Sequence, residues 1–197
     1  LVGPIQPIEI FVGSDFRFGK DRSGTLEYFK KAGQAYGFQV NAVSPIKGGR
    51  RKVGSSRIRR LITEGKLYAA KQFLVYEFSA MGRVVQGDGR GKALGFPTAN
   101  ICPKNAVIPP VGVYAVRVVV QNKRYLGMVN VGRRPSFKKN GSKIIIEAHI
   151  FNFHKTLYSK EIIIEFVKKI RNEKKFPSKE KLIAQLKRDE IKSRAIL

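Results

Sequence analysis

The stretch VYAVRVVVQNKRYLGMVNV, residues 113–131, decides the fold class. It holds two runs rich in Val, Tyr and other strand formers, Val113 to Val120 and Arg124 to Val131, parted by a polar turn that contains Asn122. Working outward, Ser79 to Gln86, Lys143 to Ile150 and Glu161 to Lys168 have the same character, and Gly, Pro and Asn turns separate them. Short strands in succession, with no helix between them, predict an antiparallel β-barrel or sandwich. One helix closes the chain. Ser178 is its cap, and Leu182, Ile183 and Leu186 form its apolar stripe.

The first 75 residues read differently. Ile8 to Val12 is a short strand, Gly13 to Gly24 a loop, Thr25 to Tyr36 a helix and Phe38 to Val43 a second strand. A basic loop, Lys47 to Lys52, leads to a helix starting at Ser55 and reaching Glu64. Strand, helix, strand, helix predicts part of an α/β unit. It has too few strands to cover its own sheet, so it is expected to be one piece of a larger domain.

The formal net charge of +25 over 197 residues raises nucleic acid as a partner. However, the Lys and Arg residues are scattered along the chain. Tyr114 and Tyr125 are isolated, without the aromatic and basic interleaving that base stacking uses. Nucleic acid is therefore not an expected partner. The longest apolar run, Val111 to Val120, is interrupted by Arg117 and is too short to span a bilayer, so no membrane partner is expected. The single cysteine, Cys102, fits a reducing compartment, and no signal peptide is visible, which predicts a cytoplasmic protein.

The densest chemistry lies between Gly82 and Asn100. Gly87, Gly89 and Gly91 alternate in a loop that also carries Arg90 and Lys92, a composition that frees backbone N–H groups to face an anion. Gln86 and Ala93 stand where a Walker A loop needs Gly and Ser or Thr, and the glycine spacing of a dinucleotide fingerprint fails at Lys92. Pro97-Thr98-Ala99-Asn100 then sets a hydroxyl and an amide oxygen two residues apart on one side of an extended segment. Such hard oxygens suit Mg²⁺, which takes few protein ligands and completes its shell with phosphates and water.

Gly87-Asp88-Gly89-Arg90-Gly91 through Gly95-Phe96-Pro97-Thr98-Ala99-Asn100 resembles the signature of riboflavin kinases. Gly112-Val113-Tyr114-Ala115, Asn130-Val131-Gly132 with Pro135, Glu147-Ala148-His149 and Arg171-Asn172-Glu173-Lys174-Lys175-Phe176 follow in the family's order. The resemblance covers about Phe78 to Arg194. It implies an antiparallel, Greek-key-like β-barrel with a C-terminal helix over residues 76–197. It also implies ATP and riboflavin as substrates, FMN as product and Mg²⁺ as cofactor. Thr98 and Asn100 would hold the metal and the nucleotide phosphates, which the loop from Gly87 to Lys92 would wrap. Glu147 would be the general base. Arg171 would contact the flavin end or its new phosphate, the alternative being a surface arginine paired with Glu173 or Glu165. His149 is expected to be structural and His154 to be a loop residue. The competing reading is a non-catalytic β-barrel that binds flavin or a polyanion.

Gly13-Ser14-Asp15-Phe16-Arg17-Phe18-Gly19 and Ser55-Ser56-Arg57-Ile58-Arg59 resemble two motifs of the FMN adenylyltransferase domain that precedes the kinase in bifunctional bacterial FAD synthetases. The resemblance assigns residues 1–75 to the C-terminal part of that Rossmann-like nucleotidyltransferase domain, with Asp15, Ser55, Ser56 and Arg59 as its site residues. Arg57 stands where the family often has threonine. The His-x-Gly-His motif of such enzymes is absent, since the chain's histidines are His149 and His154. A truncated parent is the expectation: the full-length protein would also make FAD, and the chain as given would not.

Overall fold

The structure, a computed structural model, describes residues 2–44, 47–48, 51–87, 89–104, 107–135 and 142–197. The chain divides into two compact units, Leu1–Gly54 and Ser55–Leu197.

In the first unit, a short helix α1 (Val2–Ile5) precedes strand β1 (Glu9–Gly13), helix α2 (Leu26–Tyr36) and strand β2 (Gln39–Val43), which lies parallel to β1. This is the expected strand–helix–strand unit. Thr25 caps α2, its hydroxyl accepting from the Tyr28 N–H at 3.2 Å, and Gly37 ends the helix in the left-handed region at φ 75°. Phe16, Phe18, Phe29 and Phe38 stack along α2 with ring centroids 5.3–5.8 Å apart. The two-residue strands β3 (Lys47–Gly48) and β4 (Arg51–Lys52) pair with each other, and residues 49–50 of the expected basic loop lie outside the described residues.

The second unit opens with helices α3 (Ser55–Thr63) and α4 (Leu67–Leu74). The sequence gives no start signal for α4: Lys66 precedes it and makes no side-chain cap. Ile62, Leu67 and Ala70 from these helices join the core of the strands that follow, so compactness divides the chain about twenty residues before the motif-based boundary at residue 75.

Those strands are β5 (Ser79–Val85), β6 (Ala99–Pro103), β7 (Gly112–Val120), β8 (Lys123–Pro135), β9 (Ser142–Ile150) and β10 (Glu161–Arg171), with a single helical turn, α5 (Arg90–Ala93), between β5 and β6. They close into an antiparallel barrel in the order β5-β6-β9-β8-β7-β10. The expectation of an antiparallel barrel with a terminal helix is met, and β6, read from sequence as an extended segment, is the sixth stave. Two register shifts in β10, at Phe166/Lys168 and Lys169/Arg171, bend the strand that shuts the cylinder. Alternation sorts the side chains: Tyr114, Val116, Val118, Val129, Val131, Ile146, Ile164 and Phe166 fill the interior, each at 0% exposure.

The intervening residues point outward, and helix α6 (Lys179–Ile196) covers part of that outer face. Ser178 caps α6 as expected, accepting from the Lys181 N–H at 3.3 Å. Ile183, Leu186 and Leu197 pack on Phe96, Met128 and Phe151, while Ile196 and Leu197 pack on Val113, Ala115 and Ile170.

One position in this unit is strained. Val75 ends α4 with its N–H bonded to the Lys71 carbonyl, but at φ 67°, where a β-branched side chain crowds its own backbone. The side chain is 89% exposed, so its packing contributes little there. Val75→Gly is expected to stabilise the protein by about 1 kcal/mol, raising Tm by roughly 3 °C in a thermal melt. An unchanged or lowered Tm would mean that the left-handed cap is not a source of strain.

Candidate active site

A cavity of about 660 Å³ opens on the outer face of the barrel, between the loop that precedes β6, the segment after β10, and α6. Register explains its polar floor. Asn100 stands opposite Glu147 across β6 and β9, Glu147 opposite Asn130 across β9 and β8, Asn130 opposite Val113, and Val113 opposite Arg171. All five line the cavity. They form one row around the barrel, one residue from each of five successive strands. Their chain neighbours Ile101, Ile146, Val129 and Val131 face inward, which fixes this row outward. Glu147 therefore breaks the apolar run Ile144-Ile145-Ile146 because it faces the cavity.

The glycine loop is shaped around this row. A methyl group on Gly87 would sit 2.0 Å from Nδ2 of Asn100, so only glycine lets β5 end against that amide. At Gly91 a methyl group would lie 2.4 Å from the Phe96 carbonyl oxygen and 3.0 Å from Oγ1 of Thr98. The Gly91 carbonyl accepts from the N–H groups of Leu94 and Phe96, folding the loop back on itself. Gly89, Gly91, Thr98 and Asn100 thereby share one cavity wall. Lys92 is exposed and is not part of that wall; Asp88 and the side chain of Arg90 lie outside the described residues.

Asn100 carries the sharpest chemical signal. It is 7% exposed, and its Oδ1 is buried with no hydrogen-bond partner among the described residues. A buried amide oxygen left unbonded costs about 1–3 kcal/mol, a cost that a cation at that oxygen would remove. Thr98 supplies a second oxygen on the same wall. Among the described residues no three His, Cys, Asp or Glu side chains converge as a metal site. The donor set is thus neutral and sparse, which fits Mg²⁺ completing its shell from phosphates and water.

Arg171 is not paired with Glu173 or Glu165, the partners weighed for it from sequence. Its Nε and Nη2 grip Asp189 of α6 at 2.7–3.1 Å, and Nη1 donates to the Asn172 carbonyl at 3.0 Å. Glu165 instead pairs with Arg124 at 3.0 Å. Asp189 is 1% exposed and also accepts from Nε2 of Gln185 at 2.8 Å. A guanidinium has five N–H donors, so these contacts leave two of those on Arg171 unused. Sequence reading missed Asp189 because it sits in a run of charges that looks like a solvated helix face. It also left Asn130 without a role, although Asn130-Val131-Gly132 was one of the motifs singled out.

His149, read from sequence as structural, touches the cavity. Its Nδ1 lies 2.8 Å from the Pro97 carbonyl oxygen, and its ring packs edge-on against Phe96 and Phe151. It steadies the turn that delivers Thr98. His154 is exposed in the connection after β9. In the first unit, Asp15 follows β1 in a turn; in the second, Ser55, Ser56 and Arg59 lie exposed on the first turns of α3.

Comparison with known proteins bears on this geometry. The family profile described as riboflavin kinase matches residues 74–197, and one described as FAD synthetase matches residues 1–57. A bifunctional riboflavin kinase/FMN adenylyltransferase of Buchnera aphidicola subsp. Schizaphis graminum is 38% identical over 182 residues, 91% of this chain and 58% of that protein. The proteins of the same description from Escherichia coli K12 and Listeria monocytogenes are also 38% identical, over 93% and 94% of this chain. The chain spans just under three-fifths of the length of these curated relatives. A crystal structure from Streptococcus pneumoniae, described as a macrolide-efflux protein, superposes with a TM-score of 0.77 at 33% identity, over 92% of this chain and 58% of that one. Among the described residues of this chain, no helix is long and apolar enough to cross a membrane.

Proposed function

We propose, from the premise that this chain belongs to the riboflavin kinase family, that it transfers the γ-phosphate of ATP to the 5′-hydroxyl of riboflavin and yields FMN and ADP. The observation that carries the proposal is the cavity row in which Asn100, with its buried unbonded oxygen, stands directly beside Glu147. Phosphoryl transfer asks a protein chiefly to position two reactants and balance charge, and this row separates those tasks by one strand.

In this reading Thr98 and Asn100 hold Mg²⁺ and the nucleotide phosphates, with Gly89 and Gly91 giving the phosphates backbone access. The metal, when bound, offsets charge on the β- and γ-phosphates. Glu147 accepts the proton of the 5′-hydroxyl as its oxygen bonds to the γ-phosphorus and the bond from that phosphorus to ADP breaks. Arg171, held by Asp189 with two N–H groups to spare, contacts the flavin end or the new phosphate. Residues 76–197 constitute the kinase module in this reading. Residues 1–75 are the C-terminal part of an FMN adenylyltransferase-like domain, in which Asp15, Ser55, Ser56 and Arg59 serve the nucleotide. A cytoplasmic location belongs to the same proposal, as both substrates and a free Cys102 suit it.

The test is direct. The purified chain is incubated with riboflavin, ATP and Mg²⁺, and flavins are resolved by chromatography with fluorescence detection. FMN that accumulates with time and protein concentration is the expected result. No FMN from folded protein at saturating substrates would sink the kinase reading.

A further inference from the structure

Resting on the kinase reading, we propose that Asn130 is a specificity-determining residue that reads the secondary hydroxyls of the ribityl chain. The row on the cavity floor has a direction. At one end the glycine loop packs on Asn100, through Gly87, and on Thr98, through Gly91, so the phosphate donor enters from that side. Glu147 comes next, where the reacting hydroxyl must lie. Asn130 follows on the far side of Glu147, directly opposite it across β9 and β8 and one strand further from the phosphates. Beyond Asn130 the row continues with apolar Val113 and then Arg171, and Leu182, Leu186 and Phe176 also line the cavity. An acceptor laid along this floor therefore has its reactive end at Glu147, a polar stem at Asn130 and an apolar body over Val113.

Riboflavin has that order: a primary 5′-hydroxyl, a stem bearing secondary hydroxyls, and a flat ring system with broad π faces and an apolar dimethylbenzene side. Neighbouring strands lie about 4.8 Å apart, so a side chain one strand from the base meets the stem and not the reacting carbon. An amide suits a polyol because it both donates and accepts, and it introduces no second charge beside the base. The position also has room. Even a methyl group on Gly132 would make only ordinary van der Waals contact with Nδ2 of Asn130, at 3.5 Å.

The experiment compares kcat/KM for riboflavin with that for its 2′-, 3′- and 4′-deoxy analogues. Wild type is expected to use at least one analogue about tenfold less well than riboflavin, the worth of one hydrogen bond. Asn130→Ala is expected to lose about the same factor on riboflavin and to treat that analogue and riboflavin alike. Asn130→Ser, which restores a donor and acceptor, is expected to recover part of the discrimination. Discrimination that persists undiminished in Asn130→Ala would overturn the proposal. So would a wild type that ignores all three missing hydroxyls, a result that needs no variant to fold. Failure of wild type to phosphorylate riboflavin at all is read separately, as loss of the kinase reading on which this inference rests.

Discussion

Glu147→Gln is expected to lower kcat for FMN formation by about 10²–10⁴-fold, the usual worth of a positioned general base. Glutamine keeps the length and shape of the side chain in its place between Asn100 and Asn130. The interior neighbours Ile146 and Ala148 are untouched, so the melting temperature should stay close to that of wild type. What disappears is the carboxylate oxygen that, in the proposed mechanism, takes the proton from the attacking hydroxyl. A folded variant that binds riboflavin and turns over within a few-fold of wild type would remove Glu147 from the chemistry.

The second large effect concerns stability. Asp189→Ala is expected to cost about 3–5 kcal/mol, because it leaves the Arg171 guanidinium beside the protein interior without its carboxylate. The pair is well made, with contacts of 2.7–3.1 Å and a third donor from Gln185, and Asp189 is almost wholly buried. Urea unfolding followed by circular dichroism gives the number. The double variant Arg171→Met with Asp189→Leu removes both charges and is expected to recover most of the loss, since two apolar groups leave nothing unpaired. A single-variant loss below 1 kcal/mol would show that α6 is held by its apolar face alone. Activity should separate the two: the double variant refolds α6 over the cavity but lacks the guanidinium.

Local signals were legible wherever one short segment contains the whole reason for an element. Thr25 and Ser178 announce their helices by cap chemistry, and the runs of Val, Tyr and other strand formers in β7 and β8 announce their strands by composition. Helix α4 has no such cap, and β6 is five residues long and ends at Pro103, so neither stands out. The site follows the same rule. Thr98 and Asn100 are legible because they lie two residues apart, with the glycine loop just before them. Glu147 stands out as a carboxylate within Ile144-Ile145-Ile146. The partnership of Arg171 with Asp189 is not legible, since it depends on which turn of α6 meets the end of β10. Nor is the alignment of Asn130 with Glu147, which is set by the register of a ladder whose connecting residues lie between Pro135 and Ser142.

The closure of the barrel by its last strand has a consequence for how the protein is made. β5 finds its second partner in β10, about 80 residues further along the chain. A ribosome adding roughly 5–20 residues per second needs several seconds to supply that partner. Through that interval the nascent chain carries an unsatisfied strand edge, at Ser79 to Arg83, able to pair with another copy emerging from the same messenger. Overproduction at high temperature, where many such chains wait together, should therefore send this protein to inclusion bodies through its newborn form, at temperatures the finished barrel withstands.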